Sequence, residues 1–129
     1  MLEYTSKDGI VIRVGQSAKE NDILTITSDP QYWWMHASGY SGAHVVICYK
    51  EGVLPREVKR DAAVLAIHHS KTPESKMSWV DMTRVSNVTM GKDRGQVSLS
   101  GHIDQPTIFK YRETERLERL LKHRHKITV

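Results

Sequence analysis

The sequence predicts an α+β domain: a mostly antiparallel sheet with helices packed on one face, ending in a basic C-terminal helix. Three observations predict it. Residues Tyr32–Ala37 and Ala43–Tyr49 read as short strands around the turn Ser38-Gly39-Tyr40-Ser41-Gly42, which has hairpin chemistry. From Pro55 to Ser70, Val58, Ala62, Leu65, Ala66 and His69 recur at helical spacing. In the last stretch Arg112, Arg116, Arg119, His123 and Lys126 share one side of a helix, and Leu117, Leu120 and Leu121 another.

The other elements follow in chain order. Gly9 to Gly15 reads as a strand closed by glycine. Ser17 and Glu20 form a capping-box pattern, so a short helix carries Lys19 to Leu24 and ends before Asp29-Pro30. Pro55 suits a first helical residue, and Pro73 prevents continuation of the long helix. His68 and His69 stand in that helix's last turn, where the dipole favours positive charge. Asn87–Met90 and Gln96–Ser100 read as strands around a polar loop, and Thr107–Tyr111 as a last strand. Trp33 and Trp79 read as core. The C-terminal helix docks by its leucines and turns its basic stripe outward.

The chain of 129 residues is the size of one domain. It divides into 1–111, the body, and 112–129, the basic C-terminal helix or tail. No apolar run has the length of a membrane span, and the N-terminus lacks a signal pattern, so the expectation is a cytoplasmic protein with no membrane partner. The single cysteine, Cys48, permits no internal disulfide and suits a small buried hydrophobe. The net charge of +4 comes from the C-terminal stretch, because the rest of the chain balances. Such asymmetry suits a polyanion-binding arm, and also a merely solvated basic helix.

In the hairpin, alternation places Tyr32, Trp34 and His36 on one face and Trp33, Met35 and Ala37 on the other. An aromatic hairpin flanked by histidines suits a binding surface and equally a buried core. Its string Trp34, His36-Ala37, Gly42, His44-Val45-Val46-Ile47 resembles the central signature of the NFACT-R domain. That domain is an RNA-binding module of ribosome-quality-control factors of the RqcH and NEMF type, also found alone in small proteins. Tyr32 replaces the signature's aspartate, and Ala43 a frequent serine. Gly15, Asn21, Asp22, Leu24 and Thr25 are similar to the family's opening, with Gln16 and Ser17 in place of its arginine and asparagine. The stretch Asp61 to Ala66 with His69-Ser70, and Val80 to Thr83, are similar to its later segments, Met82 taking a tyrosine position.

The resemblance implies a stand-alone, non-catalytic module that binds structured RNA, tRNA or rRNA, in translation or ribosome quality control, with the ribosome as a further partner. It implies no cofactor. Trp34 and His36 suit stacking on unpaired bases and bonding phosphate, and Ser41 and His44 add polar groups beside them. Arg13, Lys19, Lys76, Arg84, Lys92 and Arg94 suit phosphate contacts, with Arg112, Arg116 and Arg119 on the C-terminal stripe. Each of these cations alone also suits a solvated surface, and Trp34 also suits the core. The alternatives are an adaptor that binds a partner helix through the C-terminal leucines, a DNA-binding module, and a small histidine-dependent hydrolase. The seven histidines invite a metal reading. Their spacing gives no zinc pattern, so no metal site and no catalytic residue is expected.

Overall fold

The computed structural model describes residues 1–74 and 77–128. Its elements in chain order are β1 (Leu2–Thr5), β2 (Val11–Val14), α1 (Ala18–Thr27), β3 (Trp33–Ala37), β4 (Val45–Ile47) and α2 (Arg56–His68). They continue with β5 (Met77–Arg84), β6 (Val88–Met90), β7 (Val97–Leu99), β8 (Thr107–Phe109), α3 (Thr114–Lys122) and β9 (His125–Lys126). Seven strands form one sheet in the order β8-β5-β3-β4-β2-β1-β9, every pair antiparallel. Strands β6 and β7 make a separate hairpin. The α+β class is the expected one.

Side-chain alternation splits the molecule into two cores. Met35 and Ala37 of β3, Val45 and Ile47 of β4, and Ile12 and Val14 of β2 pack beneath α2. The run Ala62 to Ile67 is buried throughout. Its alanines let the helix approach the sheet closely, and each fully buried Val, Leu or Ile contributes about 1.5–3 kcal/mol. Trp34 and Val46 point the other way, into a smaller core with Leu24 of α1 and Val85, bordered by Val88, Val97 and Leu99 of the β6–β7 hairpin. Helices α2 and α3 therefore share one face as expected, while α1 lies on the opposite one.

The C-terminal segment is built into the fold. Leu120 is fully buried, with Leu117 and Leu121 packed against the main core. Strand β9 then pairs with β1, Leu2 opposite Lys126. The leucines are thus spent on the chain's own core, which corrects the adaptor alternative. The outward basic stripe is corrected at two of its five residues, while Arg112, His123 and Lys126 are exposed. Arg116 and Arg119 face α2, each 2.7 Å from the fully buried carboxylate of Asp61. Arg116 also pairs with Glu57 and Glu113. Helical periodicity assigned these arginines to one side, and that side is the one that meets Asp61.

Two tryptophan assignments divide. Trp33 is half-buried against the main core, with the Arg84 guanidinium 3.7 Å from its ring centre. Trp79 is not core: it is 48 % exposed. Its register puts it on the face of Asp81, away from α2, where the sheet runs out toward β8.

Candidate nucleic-acid interface

The hairpin turn, the start of α1 and the end of α2 enclose a cleft of about 660 Å³. Two glycines allow the approach. A Cβ on Gly42 would lie 2.7 Å from the Ser70 Cβ, and one on Gly15 would lie 2.2 Å from Asn21 Oδ1. Such distances are shorter than side-chain carbons tolerate. Gly42 bridges to Ser70, the Ala43 amide donates to the His69 carbonyl, and the Lys71 amide donates to the Ser41 carbonyl. The turn is thereby stitched to the chain leaving α2.

Asn21 and His44 lock α1 to the hairpin. Asn21 Oδ1 accepts from the His44 amide at 3.0 Å, and the Thr25 hydroxyl meets His44 Nδ1 at 2.9 Å. His44 Nε2 lies 3.3 Å from the Gly95 carbonyl, which can only accept, so Nε2 carries the proton and Nδ1 accepts from Thr25. Burial, reinforced by His36, lowers His44 to about 4. The ring is neutral and internally satisfied, which corrects its expected role as a phosphate donor. Asp22 Oδ1 takes the Gly95 amide at 2.8 Å. Together Asp22 and His44 pin the β6–β7 loop and bring Arg94 to the cleft wall.

His36, Ser41, Lys71, Arg94 and the first residues of α1 line the opening. The Ser17 hydroxyl caps α1 by accepting the Glu20 amide, and Glu20 accepts the Gln16 amide in return. His36 stacks on Trp34, rings 15° apart with centres 6.0 Å apart. Burial holds it below the ordinary imidazole range, against the pull of Asp81 and the Gly42 carbonyl. His69 is lowered to about 4, by burial first and then by His68 and Arg124. Its Nε2 is hydrogen-bonded to the Tyr4 hydroxyl at 2.6 Å. Neutral rings therefore replace the positive helix end expected at His68 and His69.

The remaining sites divide. Trp34 is 1 % exposed, so neither face of its ring is available to a base. The expected stacking by Trp34 is thereby corrected: β3 turns it under α1. Arg13 is paired with Glu3, and Arg84 donates to the Gln31 carbonyl. Lys19 is exposed on the first turn of α1, and Lys92 is exposed in the β6–β7 loop. Neither they nor Lys71 and Arg94 form an ion pair among the described residues. Arg112 is exposed and stacks over Phe109. Lys76 lies outside the described residues. Lys71 is a cleft residue that no local pattern in the sequence marks. Among the described residues no group of three or more His, Cys, Asp or Glu is placed to hold a metal ion, and no helix is long and apolar enough to cross a membrane.

A small α+β scaffold with a polar, cation-rimmed cleft defines a binding module. The chain belongs to the NFACT protein RNA binding domain family, whose model matches residues 1–104. It is an RNA-binding module of that kind. It is 37 % identical over 107 residues to the Rqc2 homolog RqcH of Streptococcus suis, covering 74 % of this chain and 19 % of that protein. With the Rqc2 homolog RqcH of Bacillus subtilis it shares 31 % identity over 86 residues, covering 66 % of this chain and 15 % of the relative. The chain thus spans a fifth or less of these relatives. A solved structure, the C-terminal part of the fibronectin/fibrinogen-binding protein from Streptococcus suis, superposes with a TM-score of 0.70 at 35 % identity. That match covers 82 % of this chain and 43 % of the other.

Proposed function

We propose that the chain binds structured RNA, tRNA or rRNA, in a ribosome-quality-control setting, and that the cleft between the hairpin turn and α1 is where the RNA backbone seats. One observation carries the reading. The segments that resemble the family's central signature and its opening converge on this cleft, and its wall carries Lys71 and Arg94 without ion-pair partners among the described residues. Unpaired cations beside backbone amides and a serine hydroxyl are the groups that hold phosphate. Lys19 and Lys92 extend the positive rim. Arg116 and Arg119 take no part, being committed to Asp61.

The test is a salt series with tRNA and with an rRNA fragment. Lys71→Gln combined with Arg94→Gln should weaken binding and flatten the log–log salt slope by roughly 0.7–0.9 for each phosphate no longer neutralised. A double variant with the parent's slope and affinity would move the site elsewhere.

A further inference from the structure

The face of the sheet that carries His36 does not end at the cleft. His36 pairs with Asp81 in register, and Trp79 lies two residues along β5 on the same face. The Ser38 amide, in the turn that walls the cleft, donates to the Trp79 carbonyl at 2.9 Å. Beyond Trp79, β8 contributes Thr107 directly opposite and Phe109 opposite Met77. Trp79 and Phe109 are therefore diagonal neighbours on one face, within reach of large rings. Tyr111 meets Phe109 edge to face with centres 6.1 Å apart. The Arg112 guanidinium lies 4.4 Å from the Phe109 ring centre and 5.4 Å from that of Tyr111. Trp79 is 48 % exposed and Tyr111 56 %, whereas Ile108 between them in sequence points into the core.

We infer that the outer face of β5 and β8 is a stacking platform for unpaired RNA bases, formed by Trp79, Phe109 and Tyr111 with Arg112. The inference rests on the RNA reading of the cleft and extends it along the same face. Aromatic rings and a planar guanidinium beside a cation-rimmed groove are the groups that take bases from single-stranded RNA. The Asp81 carboxylate stands between cleft and platform, with Gln105 donating to it at 2.8 Å. A carboxylate repels phosphate and accepts from base amino groups, so it turns bases rather than backbone toward this part of the sheet. An RNA held by its backbone in the cleft and continuing single-stranded would lay its next bases on Trp79.

The experiment compares a short labelled single-stranded oligoadenylate with a fully paired RNA duplex, using the full chain. Trp79→Leu should weaken oligoadenylate binding about tenfold and leave duplex binding at the parent's level, and Trp79→Phe should restore most of the affinity. Oligoadenylate should quench tryptophan fluorescence in the parent and not in Trp79→Leu, because Trp34 is buried and Trp33 lies on the opposite face of the sheet, under the Arg84 guanidinium. Circular dichroism of Trp79→Leu should match the parent. If Trp79→Leu binds oligoadenylate as the parent does, the platform is refuted while the cleft stands. If Trp79→Leu instead abolishes association between copies of the chain, with RNA affinity unchanged, the face is a protein interface and the inference fails. A parent that binds neither RNA overturns the cleft and the platform together.

Discussion

Asp61 of α2 holds Arg116 of α3 at 2.7 Å, with the carboxylate wholly out of solvent. Arg119 shares the same oxygen, and the other oxygen takes the Lys7 amide. One buried acid thereby ties the C-terminal helix and the β1–β2 turn to the long helix. Removing it takes one acid from Arg116, which keeps Glu57 and Glu113, and takes from Arg119 the ion pair it makes with α2. Asp61→Ala should cost about 1.5–3 kcal/mol, the range for lost hydrogen bonds to a charged group, read as a shift in the urea midpoint. An unchanged midpoint would mean that α3 contributes nothing to the cooperative unit.

The same ion pair changes what a charge scan reports. Arg112→Gln should leave stability within about 0.5 kcal/mol, since its side chain is exposed. Arg116→Gln should destabilise by more than about 1 kcal/mol, on the order expected for removing hydrogen bonds to charged partners. Urea melts of the single variants separate the two. Equal stabilities would restore the picture of a solvated stripe.

Stability should fall in mild acid. His44 sits at about 4 in the folded chain against 6.5 as its ordinary value, so unfolding between those pH values takes up a proton. Its contribution is full above about pH 6.5 and is lost as the pH falls toward 4. Between pH 7 and pH 5 the loss is ~2 kcal/mol. His69, also at about 4, acts in the same direction. Urea melts at the two pH values measure it, and His44→Gln should flatten the profile. A parent equally stable at both would contradict the buried neutral ring.

Trp34 and Trp79 should behave as opposites. Trp34→Ala empties the smaller core and should cost about 3–5 kcal/mol. Trp79→Ala removes an exposed ring and should stay within about 0.5 kcal/mol. Thermal melts of the two variants decide this, and similar losses would place both rings in the core.

Gly42→Ala tests the stitching of the turn. The added methyl would meet the Ser70 Cβ at 2.7 Å, forcing the turn away from the end of α2 at about 1–3 kcal/mol. Affinity for tRNA should fall with it, because Ser41 and Lys71 move apart. A variant with the parent's affinity and melting temperature would show that the turn has room to yield.

The sequence was most readable where a pattern closes on itself locally. Alternation in Trp33–Ala37 and helical spacing in Arg56–His68 each follow from one segment, and both elements form as expected. What a face meets is another matter. Periodicity gathered Arg116 and Arg119, but their partner Asp61 lies on a distant helix, so an exposed and a buried stripe have the same spacing. Strand β9 is two residues long, too short to show alternation, and is defined by its pairing with β1 at the far end of the chain. Trp79 reads as core because tryptophan usually is, and its exposure depends on where cover over the sheet stops. The conversion of His44 from candidate ligand to internal pin required Thr25 and Gly95, which no spacing rule connects to it.

The pairing of β1 with β9 also bears on how the molecule comes apart. It joins residues from opposite ends of the chain, Glu3 against His125, whereas β1–β2 and β3–β4 are hairpins of neighbouring segments. Non-local closure of this kind comes late in folding, after local pairs have formed. Contacts of β9 are then expected to form after the folding transition state, so that substitutions in β9 change the unfolding rate more than the folding rate in stopped-flow measurements. Strengthening those contacts lengthens the lifetime of the folded chain without hastening its formation.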